Sequence, residues 1–190
     1  MISAPEQRRT REGLIFLALF ALTIPAANWL IGHVGTACVM PHGPCLVPVA
    51  PGLMAPSGVM MIGIALVLRD LVQRRLGTLM SALAILFGTG ISALLAPPAL
   101  VIASGVAFLL SEFADLAVYT PLARRRLVAA VVASSVSGLV VDSIVFLWLA
   151  FGSLEFLPGQ VVGKGWMVLL SIPFVAWLRR RDERLRMKPA

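Results

Sequence analysis

Charge is scarce in this sequence. Only 13% of its 190 residues are Asp, Glu, Lys or Arg, about half the share usual in water-soluble domains. A soluble fold needs polar side chains over its surface, so this scarcity excludes a soluble enzyme and a disordered chain. Two cysteines are too few for a disulfide-rich miniprotein. No Gly-rich phosphate loop is present, so the chain is not its own ATPase, and neither G-x-S-x-G nor H-E-x-x-H occurs. Soluble domains, clear repeats and low-complexity linkers are missing as well. What the chain has instead is apolar side chains, 59% of its residues. That composition describes an integral membrane protein with lipid as its solvent, and nothing in it supports an enzyme.

A membrane span takes roughly 20 apolar residues, because ~30 Å of hydrocarbon is crossed at 1.5 Å per residue. Six spans are expected, at about 13–32, 53–72, 77–96, 98–120, 127–151 and 160–178. The second carries Pro56 and Ser57 in its first half, and Glu112 and Asp115 interrupt the fourth. An open sheet cannot satisfy its backbone in lipid, and a barrel would show alternating ten-residue strands. The expectation is therefore an all-α integral membrane protein, a six-transmembrane-helix bundle forming one membrane domain over 1–190.

The net charge of +7 reflects topology more than nucleic-acid binding. Arg8, Arg9 and Arg11 precede span 1, and Arg69, Arg74 and Arg75 close span 2. Arg124, Arg125 and Arg126 follow span 4. The basic tail 179–190 follows span 6. Every Lys and Arg except Lys164 thus falls on one side, which makes both termini cytoplasmic and lets the tail touch anionic lipid. Span 1 is too long for a signal peptide, and Pro25-Ala26-Ala27-Asn28-Trp29 offers no clean cleavage site.

Ionisable groups inside lipid are costly, so each needs a reason. Glu112, Asp115 and Tyr119 are spaced i, i+3, i+7 and share one helical stripe. They line a substrate or proton site, or they knot two helices together. Ser134, Gly138, Asp142 and Phe146 recur every four residues along span 5. Such a row of small residues favours close helix packing and permits a homodimer, but packing alone does not explain Asp142. Lys164 lies about 7.5 Å nearer the outer face than Asp142, within reach of a lysine side chain, so a buried Asp142–Lys164 pair is expected. Asp70 and Arg74 are four apart with the acid first, a favourable order for a local ion pair at the water interface. Asn28, deep in span 1, has three open roles: capping backbone disturbed by Pro25, bonding another helix, or binding ligand. Cys38 and Cys45 share an outer loop, where an oxidising compartment favours a disulfide. Pro41-His42-Gly43-Pro44 turns the chain between them. Free thiols remain open, and so does a metal site with His33 and His42, although the spacing fits no standard zinc pattern. No cofactor is expected.

In their order and spacing these motifs resemble the VUT family of queuosine precursor transporters (the YhhQ-type proteins). The resemblance spans essentially the whole chain. It rests on Asn28, on Asp70 with Gly77 seven residues on, and on Glu112-x-x-Asp115-x-x-x-Tyr119. It also rests on Ser134, Gly138, Asp142, Phe146 and Phe151, and on Lys164 followed nine residues later by Pro173. Arg74 stands where many members carry Glu, Glu112 where some carry Gln, and the cysteine loop is not general to the family. The resemblance implies import of 7-cyano-7-deazaguanine or 7-aminomethyl-7-deazaguanine across a bacterial plasma (inner) membrane. A carboxylate accepts the ring N–H and exocyclic amine of such a ligand, and Phe108, Tyr119, Phe146 or Trp166 can stack on the ring. Asp115 or Glu112 is the expected reader of that donor edge. Asp142 and Lys164 form a second polar layer, and Asn28 and Asp70 complete the cavity or its gate. The competing reading is a substrate-binding subunit of an energy-coupling-factor importer. Span 1 has Ala18, Ala21, Ala26 and Ala27 but no alanine pair four apart, which favours a stand-alone carrier.

Overall fold

The computed structural model describes residues 4–38, 44–96, 98–123, 126–185 and 187–190. The first three residues of the expected turn at 41–44, His42 among them, and Arg124, Arg125 and Arg186 lie outside the described residues. Long helices dominate: α1 (Ala4–His33), α2 (Val59–Leu76), α3 (Thr78–Leu95), α4 (Val101–Leu122), α5 (Leu127–Phe151) and α6 (Leu157–Arg184). Five of them, all but α2, are long and apolar enough to cross a membrane. From α2 onward the connections are at most five residues long, which favours antiparallel neighbours. Gly77, at φ 90°, turns the chain between α2 and α3, and Gly152, in the left-handed conformation, ends α5.

The all-helix expectation needs one correction. Between α1 and α2 the chain forms a three-stranded antiparallel sheet of β1 (Ala37–Cys38), β2 (Cys45–Ala50) and β3 (Leu53–Pro56), in the order β1-β2-β3. The first residues of expected span 2 are therefore strand, not helix. Pro56 denies a helix its backbone N–H there, and Ser57 Oγ donates to the Leu30 carbonyl of α1 at 2.6 Å instead. A disulfide joins Cys38 to Cys45, which face each other in the β1–β2 register. The sheet lies across the start of α6. A β-carbon at Gly159 would come within 2.0 Å of the Met54 carbonyl oxygen, so no other residue fits without displacing β3.

Helix α2 fails as a free-standing span because it holds Arg69, Asp70, Arg74 and Arg75. It packs against all five other helices, and that central position removes those charges from lipid. Arg69 and Asp70 are 0% exposed, whereas Leu94 is 86% and Ile102 74% exposed. Charge inside and apolar side chains outside would aggregate in water and suit a bilayer. A cluster including Phe16, Phe20, Leu71, Val72, Ile85, Phe108 and Leu178 binds α1, α2, α3, α4 and α6 together.

The arginine-rich end is locked by ion pairs. Asp182 accepts from Arg74 at 2.9 Å and from Arg75 at 2.7 Å, while Glu12 pairs with Arg75 at 3.1 Å and Arg181 at 2.5 Å. Arg74 therefore pairs across to α6, and the expected local Asp70–Arg74 pair does not form. The segment read as a basic tail continues α6 to Arg184. Beyond it Met187 is buried, and the Ala190 N–H donates to the Arg74 carbonyl.

Candidate functional site

Two buried polar layers follow one another along α5. In the first, the Arg69 guanidinium donates to carboxylate oxygens of both Asp70 and Asp115, and to Gln73 Oε1 at 2.8 Å. Arg69 Nε lies 3.5 Å from Glu112 Oε2. Ser134 Oγ donates to the other oxygen of Asp70 at 2.7 Å, and the guanidinium sits 5.4 Å from the centre of the Tyr119 ring. Glu112, Asp115 and Tyr119 thus turn one face of α4 toward Arg69. Glu112 Oε2, Asp115 Oδ2 and the Tyr119 hydroxyl have no hydrogen-bond partner among the described residues.

The second layer lies two turns along α5, roughly 12 Å from Ser134 to Asp142. Lys164 Nζ donates to Asp142 Oδ2 at 2.5 Å, Ser143 Oγ at 2.8 Å and Gln160 Oε1 at 2.5 Å. All three ammonium hydrogens have acceptors, which offsets the cost of burying the lysine. Gly138 joins the layers. A β-carbon there would lie 2.6 Å from Leu66 Cδ2 and 3.2 Å from Asp115 Cβ, so its lack of a side chain lets α5 close on α2 and α4.

Beside the second layer is a narrow cavity with about 60 Å³ of room for the centres of water molecules. Asn28, Asp142 and Gln160 supply polar groups to its wall beside Thr23, Ser92 and Ser104, and Phe108 and Phe146 supply ring surfaces. Pro56, Gly58 and Val59 bring the junction of β3 and α2 to the same space. Asn28 Nδ2 donates to the Ile24 carbonyl of its own helix at 3.0 Å, in the turn that contains Pro25.

The expected site residues therefore divide. Asn28, Asp142 and Phe146 line the cavity, and Lys164 stands directly behind Asp142. Asp70, Glu112, Asp115 and Tyr119 do not line it, because Arg69 draws them into the first layer. Trp166 is half-exposed and its indole N–H donates to the Val49 carbonyl of β2. Arg69, which in the sequence groups with Arg74 and Arg75 as a topology marker, is instead the centre of the first layer. Its position more than a turn deeper in α2 was the available signal. Gln160, one turn before Lys164, does not stand out in the sequence.

Residues 78–178, more than half of the chain, match a family model described as "Putative vitamin uptake transporter". The chain belongs to that family. The match covers α3 to α6 apart from the last turns of α6, and so includes Glu112, Asp115, Tyr119, Asp142 and Lys164. Among curated proteins and among solved structures nothing matches the chain. Family membership and the five apolar helices together make it a multi-pass membrane protein of the vitamin uptake transporter class.

Proposed function

We propose that the chain imports a queuosine precursor, 7-cyano-7-deazaguanine or 7-aminomethyl-7-deazaguanine, across a bacterial inner membrane as a stand-alone carrier. The observation that carries this reading is the cavity wall. A carboxylate held in place by Lys164, two side-chain amides and two aromatic rings line one space together. A flat guanine-like ring offers a donor edge of ring N–H and exocyclic amine, which a fixed carboxylate accepts. The faces of Phe108 and Phe146 suit its two π surfaces. Asp142, not Glu112 or Asp115, is then the reader of the donor edge.

Equilibrium binding of purified protein to a panel of the two deazaguanines, guanine and unrelated vitamins tests this. The deazaguanines should bind best. Phe146→Ala, which strands no charge, should weaken them about two- to twelvefold, for a stacking loss of ~0.5–1.5 kcal/mol. Equal binding across the panel, or a Phe146→Ala protein with native affinity, would remove the support for this cavity.

The same reading takes six spans with both termini in the cytoplasm, α2 being the shielded sixth. It is supported by the sequence, in which the Lys and Arg outside the two buried layers fall on one side of the spans. Reporter fusions at Ala190 and near Val47 should give opposite signals, and identical signals would overturn the topology.

A further inference from the structure

Two cavities approach the Arg69 layer from opposite ends of the bundle. One is the cavity lined by Asp142. The other, near the arginine-rich end, has about 70 Å³ of room for water centres and is lined by Gln73, Arg74, Tyr119 and Thr120. The two are separated by side chains of the Arg69 layer. On one side Phe108 and Ala65 of the first cavity's lining stand one helical turn before Glu112 on α4 and Arg69 on α2. On the other, Tyr119 and Gln73 contact Arg69 and also line the second cavity. The barrier between the cavities thus contains ionisable groups beside apolar side chains such as Leu66.

Its charges do not balance. One guanidinium faces three carboxyls, those of Asp70, Glu112 and Asp115. With all three ionised, two negative charges would be left over in a low-dielectric interior, where uncompensated charge is costly. The surrounding helices do not supply the missing positive charge. Lys164 of α6 is committed to Asp142 of α5, and Arg74 of α2 to Asp182. Helix α3 has no titratable side chain, and Glu12 of α1 is engaged by Arg75 and Arg181. Among the described residues Asp115 Oδ2 has no hydrogen-bond partner and Glu112 Oε2 meets Arg69 Nε only at 3.5 Å, so these two oxygens mark where a compensating cation would bind. A metal ion needs a shell of several oxygens, but Arg69 fills the centre of the cluster. Among the described residues no group of His, Cys, Asp or Glu is arranged to hold a metal. A proton needs only one oxygen.

The geometry points to proton-coupled uptake, in which the three-carboxyl cluster around Arg69 carries a proton inward with each substrate molecule. This rests on the import reading above. A proton arriving through the cavity lined by Asp142 bonds to a carboxylate oxygen of Glu112 or Asp115. The neutral carboxyl loosens its hold on Arg69 and lets α4 move against α2. On the opposite side the O–H bond breaks, the proton leaves through the cavity lined by Tyr119, and the carboxylate pairs with Arg69 again.

The test uses the full chain in proteoliposomes, with radiolabelled 7-cyano-7-deazaguanine and the membrane potential clamped at zero. One unit of inward pH gradient should drive about tenfold accumulation for one proton per substrate, and a protonophore should abolish it. Asp115→Asn or Glu112→Gln should lower the steady-state ratio toward one. That ratio reports coupling and does not depend on how many copies insert. Substrate exchange with no accumulation under the pH gradient, or accumulation driven by sodium instead, overturns proton coupling and leaves the import reading standing. So does a native ratio in both variants. No movement of substrate in any format, with insertion verified, overturns both.

Discussion

Arg69→Met is expected to leave little folded protein in the membrane. Arg69 has no exposure and is the shared partner of three carboxyls on two helices. Removing one partner of a buried ion pair typically costs ~3–5 kcal/mol, because the other charge is left without compensation. Here three groups lose their cation together, so that range is a lower bound, against a total stability of roughly 5–15 kcal/mol for a typical domain. Arg69→Lys should fall between wild type and Met, since it keeps a charge but loses the fork that reaches Asp70, Asp115 and Gln73 at once. Adding Asp70→Asn and Asp115→Asn to Arg69→Met should recover part of the loss by removing the stranded charges. Size-exclusion profiles and melting of fluorescently tagged variants in detergent check the series. An Arg69→Met protein that melts within a few degrees of wild type would show that the layer does not hold the fold together.

The second large effect belongs to Asp142 and Lys164. Either Asp142→Asn or Lys164→Met alone should destabilise by ~3–5 kcal/mol, and the two together should come much closer to wild type. Recovery should be incomplete, because Lys164 also donates to Ser143 and Gln160, and those acceptors lose their donor in either Lys164 variant. Four melting curves give the coupling energy. Strict additivity of the single effects would mean that the pair seen at 2.5 Å contributes nothing jointly.

Much of this was legible in the sequence wherever the governing interaction is local or set by depth. The span expected at 127–151 matches α5, Leu127–Phe151, because a long, mostly apolar run is bounded by Arg126 on one side and Gly152 on the other. The Asp142–Lys164 contact followed from comparing how far each residue lies from the outer end of its helix. The sheet did not follow, since it depends on pairing β2 with β3 across a turn within a stretch that hydropathy alone assigns to a loop and a helix. The Arg69 layer was half visible. The acidic stripe on α4 stood out by its spacing, while its cation was hidden among arginines that sort by topology. The Glu12–Arg181 contact joins residues 169 positions apart, and no local pattern announces a pairing of that range.

The central claim, import of a queuosine precursor by this chain alone, is tested most directly in a bacterium that lacks both precursor synthesis and its own importer. The chain is expressed there without any ATPase or coupling subunit, at low external 7-cyano-7-deazaguanine, and queuosine in tRNA is measured. The account predicts that queuosine returns with the wild-type chain and is reduced with Phe146→Ala at equal membrane expression. No queuosine despite verified insertion, or its return only when an energy-coupling partner is supplied, would contradict it.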